Sequence, residues 1–245
     1  MNNAERFLNA YATIEHEMQR ILDLKERRRF YELVEMGARV NPVLRRYKFD
    51  LKKFGDLRNA IVHDRADGKI IAEPTIEAVE SIETIARLLL EPPRVAPLFI
   101  KEVLALPGEA PVIQAVRELS RHNYTQLAVI DGGAVVAMLT ANMIVHWLGR
   151  SPAATPDLLE RTSIREVLRQ TGDRDNFRVV AAEASLFQVL DLFIGHQAKG
   201  KKLDAVLITA HGRPEEELIG IITNRDLPLL QKELDRAASK SRCSW

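Results

Sequence analysis

The sequence predicts an α+β chain, in which an N-terminal all-α helical bundle is followed by two copies of a β-α-β-β-α unit. Three observations carry that expectation. Up to about residue 90, apolar residues recur at three- and four-residue spacing, the period of a helix with one buried face. Pro92-Pro93 then ends the helical run, because proline lacks the N–H a helix needs and pushes its predecessor out of the helical region. Beyond that point short apolar runs alternate with amphipathic stretches, and the same order of elements occurs twice.

Each element has its own signal. Phe7, Tyr11, Ile14, Met18, Ile21 and Leu22 form the stripe of a first helix. Met36-Gly37 and Asn41-Pro42 punctuate the next stretch, and a short helix is expected over 51–63. Asp67-Gly68 marks a turn. Pro74 belongs in the first turn of the last bundle helix, where a missing N–H is harmless, with Ile76, Val79, Ile82, Ile85, Ala86 and Leu89 on its apolar face. The first unit then reads as a strand near 103–106, a helix over 111–123 with Val112, Ala115, Val116 and Leu119 inward, and strands 126–130 and 134–140. Asp131-Gly132-Gly133 is their hairpin turn, and a helix starts after Thr140. The second unit reads as a strand near 179–180, a helix over 185–195 with Leu186, Val189, Leu190 and Phe193 inward, and strands 203–209 and 217–223. A polar loop, 211–216, joins those strands, and Asn224 opens a helix. One copy alone would leave a sheet face exposed, so the two should pack together. The expected domains are 1–91, 95–150 and 160–235, with 236–245 a flexible tail.

A chain of 245 residues with 46% hydrophobic and 28% charged residues suits two domains with ordinary cores. A formal net charge of +1 excludes a global field that would attract nucleic acid or membrane, though not a local basic patch. No apolar run approaches the ~20 residues of a membrane span, and the opening residues lack an apolar signal-peptide core, so a cytoplasmic location without a membrane partner is expected. Cys243 is alone, so it forms no internal disulfide, which fits a reducing compartment. His16, His122, His146, His196 and His211 form no Cys/His cluster, so no structural metal is expected.

The most specific motif is residues 220–226, Gly-Ile-Ile-Thr-Asn-Arg-Asp. A hydroxyl at the end of a strand, Thr223, and a carboxylate three residues on in the first helical turn, Asp226, lie side by side. The helix N-terminus adds N–H groups and partial positive charge that suit a phosphate. The Asp226 carboxylate can accept two ribose hydroxyls, and Arg225 can reach a phosphate. The plainer reading is a threonine N-cap with Asp226 complementing the helix dipole.

The duplicated unit with this motif resembles the CBS domain, and two copies resemble a Bateman module; the resemblance covers about 140 of the 245 residues. It implies a regulatory receptor for an adenine nucleotide of the AMP, ADP or ATP type, acting as a homodimer and needing no cofactor. In CBS pairs the ribose-binding turn of one repeat faces the first strand and second-strand start of the other. By that resemblance Ile221, Thr223, Arg225 and Asp226 face Val103, Leu104, Tyr124, Thr125 and Gln126, with Tyr124 placed to stack on a base. The first repeat departs from the pattern: Thr140 is present, but Met143 stands where the aspartate belongs, so one competent site and one degraded site are expected.

In the helical region, Arg58-Asn59 followed by His63 resembles the R-x4-6-H motif of HEPN domains, helical bundles of which many cleave RNA without metal. Asn59 and His63 are four apart and share a helix face. A histidine near its ordinary pKa of ~6.5 can take a ribose 2′-OH proton, and Arg58 can stabilise charge on the phosphate. Arg27-Arg28-Arg29, Arg45-Arg46, Lys48 and Lys52-Lys53 form a basic concentration that RNA would find attractive. Arginine and histidine on a helix are also ordinary surface residues, and basic runs are ordinary solvated faces. Three functions therefore stand open: a nucleotide-sensing regulator, a nucleotide-gated endoribonuclease, and a ligand-free dimerisation scaffold.

Overall fold

The computed structural model describes residues 2–63, 65–66, 69–70, 73–151, 155–171 and 175–239, with backbone alone at 63, 65–66, 69–70 and 156. The chain divides into two compact units. One is Met1–Pro93 with Leu186–Gln188 and Leu230–Trp245; the other is Arg94–Ser185 with Val189–Leu229.

In the first unit α1 (Asn3–Ile21) is followed by α2 (Phe30–Val40), α3 (Pro42–Arg46), α4 (Lys48–His63), a two-stranded ribbon of β1 (Arg65–Ala66) and β2 (Lys69–Ile70), and α5 (Ile76–Leu90). Asn2 begins α1 by reciprocal capping: its side chain accepts from the Glu5 amide at 2.8 Å, and the Glu5 carboxylate accepts from the Asn2 amide at 3.1 Å. Phe7, Tyr11, Ile14 and Met18 are buried, as their spacing predicts. Phe7 meets Phe54 edge-on at 5.7 Å and Tyr11 stacks on Phe30 at 4.1 Å, so α1, α2 and α4 share an aromatic core. A bidentate Arg6–Glu83 pair (2.9 and 2.7 Å) joins α1 to α5.

The structure corrects three readings here. Gly37 does not punctuate; it lies inside α2, where an added Cβ would meet Leu44 Cδ1 at 2.5 Å, so it serves close helix packing. Asn41-Pro42 does divide the run: Asn41 ends α2, and its side chain accepts from the Val43 and Leu44 amides to start α3. Pro74 lies before the helix, not in its first turn. Thr75 is the N-cap, with its hydroxyl accepting from the Ala78 amide. The apolar face of α5 holds Val79, Ile82, Ile85, Ala86 and Leu89, while Ile76 is exposed, since the first turn precedes the packed stretch. Asp67-Gly68 lies outside the described residues.

The second unit holds two three-stranded sheets of identical topology. The first repeat is β3 (Ala105–Pro107), α6 (Val112–His122), β4 (Gln126–Asp131), β5 (Ala134–Thr140) and α7 (Ala141–Arg150). After it come α8 (Pro156–Arg161) and α9 (Ile164–Thr171). The second repeat is β6 (Phe177–Ala181), α10 (Leu186–Ala198), β7 (Ala205–Thr209), β8 (Gly220–Thr223), a 3-10 turn (Asn224–Asp226) and α11 (Leu227–Ser239). In both repeats the first strand runs parallel to the second and the third runs antiparallel to it. Gly132 and Gly133 both have positive φ (58° and 85°), which a two-residue turn closed by the Asp131–Ala134 pair requires.

The two repeats are stitched by reciprocal exchange. The segment before the first repeat binds the second: the Val95 amide donates to Ala184 O, and the Lys101 amide to Ile219 O. The segment before the second repeat binds the first: the Val112 amide donates to Thr162 O, and the Ile164 amide to Ala110 O. A shared apolar cluster of Ala128, Val135, Met138, Ala205 and Leu207 lies between the sheets, as the exposed-face argument predicts. Other boundaries shift. α8 and α9 were not foreseen, though Ile164, Val167 and Leu168 of α9 are buried in the core of the first repeat. β7 begins two residues later than expected, because the Asp204 amide is drawn aside to Asn176 O at 2.7 Å. Residues 236–239 are not a tail. α11 runs to Ser239, and within the first unit the Arg87 guanidinium donates to Ala237 O at 2.6 Å.

Candidate functional site

The register of the two sheets fixes which positions correspond. Gln126 pairs with Thr140 in the first repeat and Ala205 with Thr223 in the second, so Thr140 matches Thr223 and Met143 matches Asp226. Both threonines end a strand and begin a helical turn. They do so with different chemistry.

At the second junction Asp226 turns back on the strand end. One oxygen, Oδ2, accepts from the Thr223 amide at 2.7 Å and from the Thr223 hydroxyl at 2.8 Å. The other, Oδ1, lies 3.3 Å from Lys101 Nζ. The hydroxyl and carboxylate are therefore joined rather than merely adjacent, and Asp226 is more fully engaged than the motif suggests. Asn224 braces the turn by donating to Leu203 O at 3.1 Å.

This junction forms one wall of a cavity of ≈ 380 Å³ between the repeats. That volume falls in the ~300–1,000 Å³ range of small-molecule sites. All nine residues singled out from the sequence line it: Val103, Leu104, Tyr124, Thr125 and Gln126 from the first repeat, Ile221, Thr223, Arg225 and Asp226 from the second. Tyr124 is 49% exposed and stacks on His122 at 5.4 Å, which leaves one ring face open. Gln126 is committed to structure, its amide donating to Asp204 O at 2.8 Å. The Arg225 side chain is exposed, and among the described residues no partner holds it.

Lys101, Lys202 and Asp204, which the sequence does not single out, also line the cavity. Asp204 is 5% exposed. Its Oδ2 accepts from buried Asn176 at 2.9 Å, and its Oδ1 lies 2.7 Å from Lys202 Nζ. That last oxygen lacks a well-directed hydrogen bond, so its pairing with Lys202 is coulombic. No motif flags these residues. The available signal was position, since Asp204 immediately precedes β7 as Thr125 precedes β4.

The first junction is plainer. The Thr140 hydroxyl accepts from the Met143 amide at 3.2 Å, an ordinary N-cap, and Met143 is buried in the core of its repeat. A smaller cavity of ≈ 260 Å³ lies beside it, lined by Thr140, Asn142, Met143 and His146 and sharing Lys202 and Asp204 with the larger one. The position of Asp226 has no carboxylate counterpart there.

In the helical unit, Arg58 and Asn59 sit on α4 with Arg58 Nη1 3.4 Å from Asn59 Oδ1, and the Arg58 guanidinium lies 5.9 Å over the Tyr11 ring. His63 is the last residue of α4, and its side chain lies outside the described residues. Among the described residues no three His, Cys, Asp or Glu are grouped to hold a metal, and no helix is long and apolar enough to cross a membrane. Cys243 lies outside the described residues.

Residues 95–150 match the family model described as CBS domain. No curated protein matches the chain. Among solved structures, a CBS domain-containing protein from Kribbella flavida is 18% identical, covers 54% of this chain and 95% of its own, and has a TM-score of 0.44. A CBS domain-containing protein from Bacillus anthracis is 20% identical, with 57% and 94% covered and a TM-score of 0.44. The CBS domain pair of protein MJ0100, solved with 5′-methylthioadenosine and S-adenosyl-L-methionine, is 17% identical, with 58% and 98% covered and a TM-score of 0.42.

Proposed function

We propose that the paired repeats are a receptor for an adenine nucleotide and that occupancy of the cavity regulates the helical unit. One observation carries this reading: the Thr223 hydroxyl and Asp226 carboxylate, 2.8 Å apart, line the same cavity of ≈ 380 Å³ as the half-exposed ring of Tyr124. A base would stack on Tyr124, a ribose would bond the Asp226 carboxylate, and a phosphate would meet the turn at 224–226 and Arg225. The first-repeat cavity, with Met143 in place of an aspartate, is the weaker of the two.

Coupling to the helical unit is supported by chain continuity. Asp226 closes the turn that opens α11, and α11 from Leu230 onward belongs to the helical unit. A ligand shifts such a unit only by its difference in affinity for two states.

The test is thermal denaturation of the full chain with AMP, ADP, ATP, 5′-methylthioadenosine or S-adenosyl-L-methionine. A ligand at a hundredfold excess over Kd adds ~2.7 kcal/mol of stability. Asp226→Ala abolishes the shift. Absence of a shift with every compound, or a shift that Asp226→Ala keeps, overturns the reading.

A further inference from the structure

We infer that Lys101 makes this cavity select a nucleotide over its nucleoside, by exchanging the Asp226 carboxylate for a ligand phosphate. The inference rests on the nucleotide reading above and deepens it. Asp226 has one oxygen filled by the Thr223 amide and hydroxyl, so a ribose hydroxyl entering the site must use the other, Oδ1. Lys101 Nζ already sits on that oxygen at 3.3 Å. A ribose hydroxyl that takes Oδ1 therefore competes with an ammonium for the same oxygen.

Where the ammonium goes decides what binds. The Lys101 backbone is held in place by the hydrogen bond its N–H donates to Ile219 O at 3.1 Å, so only the side chain swings. Lysine carries donors alone on a flexible four-carbon stem, and it lines the cavity with its side chain 45% exposed. A nucleoside offers the released cation only water. A phosphate monoester offers an anion, and a charge-assisted hydrogen bond outweighs the half-exposed ion pair that was given up. Arg225, with no partner among the described residues, faces the same cavity and supplies a second cation. Of the other charged groups in the lining, Lys202 pairs with Asp204 at 2.7 Å, and Glu102 adds one carboxylate that the two cations, Lys101 and Arg225, outnumber.

The experiment is calorimetric titration of the full chain with AMP and with adenosine, in the wild type, Lys101→Gln and Lys101→Arg. The wild type binds AMP more tightly than adenosine. In K101Q the ratio of the two constants falls about tenfold, the loss of one charge-assisted contact. It falls because AMP weakens while adenosine holds or tightens a few-fold. K101R restores the ratio. A role confined to structure would weaken both ligands alike and leave the ratio unchanged, which overturns the assignment to Lys101 while AMP binding itself still stands. Failure of the wild type to bind AMP removes the nucleotide reading and this inference with it.

Discussion

Gly220→Ala is expected to destabilise the paired repeats and to weaken the ligand site together. A Cβ built at Gly220 lies 2.3 Å from the Phe99 carbonyl oxygen and 3.0 Å from Ile208 Cδ1. Carbon–oxygen contacts between adjacent strands settle near ~3.3–3.6 Å, so the 99–101 segment must retreat by roughly 1 Å. The bond from the Lys101 amide to Ile219 O, 3.1 Å long, then stretches beyond hydrogen-bonding range. Overpacking of this kind costs ~1–3 kcal/mol. At ~2–4 °C per kcal/mol for a chain of this size, Tm falls by about 4–8 °C for a 2 kcal/mol loss. Gly195→Ala is the control: it lies inside α10 with nothing within 4 Å of an added Cβ, so it stabilises by ~0.5–1 kcal/mol. Differential scanning calorimetry of both variants, followed by AMP titration, reads the pair. G220A also loses AMP affinity, because the displaced segment carries Lys101, while G195A keeps it. A G220A protein that melts at or above the wild type, or a G195A protein that melts below G220A, would refute the steric argument.

Other predictions are independent of that one. Asp226→Asn keeps the size of the turn but weakens AMP and adenosine alike in titration, since both use the carboxylate; unaltered binding of either would remove Asp226 from the site. Asn176, fully buried, donates to Met138 O and to the Asp204 carboxylate. Asn176→Ala removes the Asn176 donor from Met138 O and from Asp204 Oδ2 and costs about 2 kcal/mol or more by urea denaturation, and a loss under about 0.5 kcal/mol would show that water takes over. The His211 amide, and then its ring, hold the Glu216 carboxyl down to about 2. Its folded value lies below its ordinary one, so its contribution is present above the usual carboxylate range and is lost as pH falls from about 4.5 toward 2. Glu216→Gln therefore flattens acid destabilisation across that window, and an unchanged slope of stability against pH would contradict the assignment.

Much of the fold could be read from local pattern. The stripe Phe7, Tyr11, Ile14 and Met18 is buried where a helical period places it, and Gly132-Gly133 turns where positive φ is needed. The errors fall where a distant partner outweighs a local signal. Gly37 reads as a break but packs against Leu44, and Asp204 reads as strand but is pulled to Asn176. Ile76 fits the apolar stripe of α5, yet the bundle does not reach it.

The sequence by itself determined the order of elements within each repeat, the duplication, and the Thr223/Asp226 motif at a strand–helix junction, because periodicity and turn chemistry are properties of neighbours along the chain; Tyr124 was implied only by the resemblance. Only the tertiary structure decided that Asp226 is already held, by Thr223 on one oxygen and by Lys101 on the other. Lys101 and Asp226 stand 125 residues apart. Nothing local marks a lysine for such a role; it arises because the segment before one repeat crosses to pair with the third strand of the other.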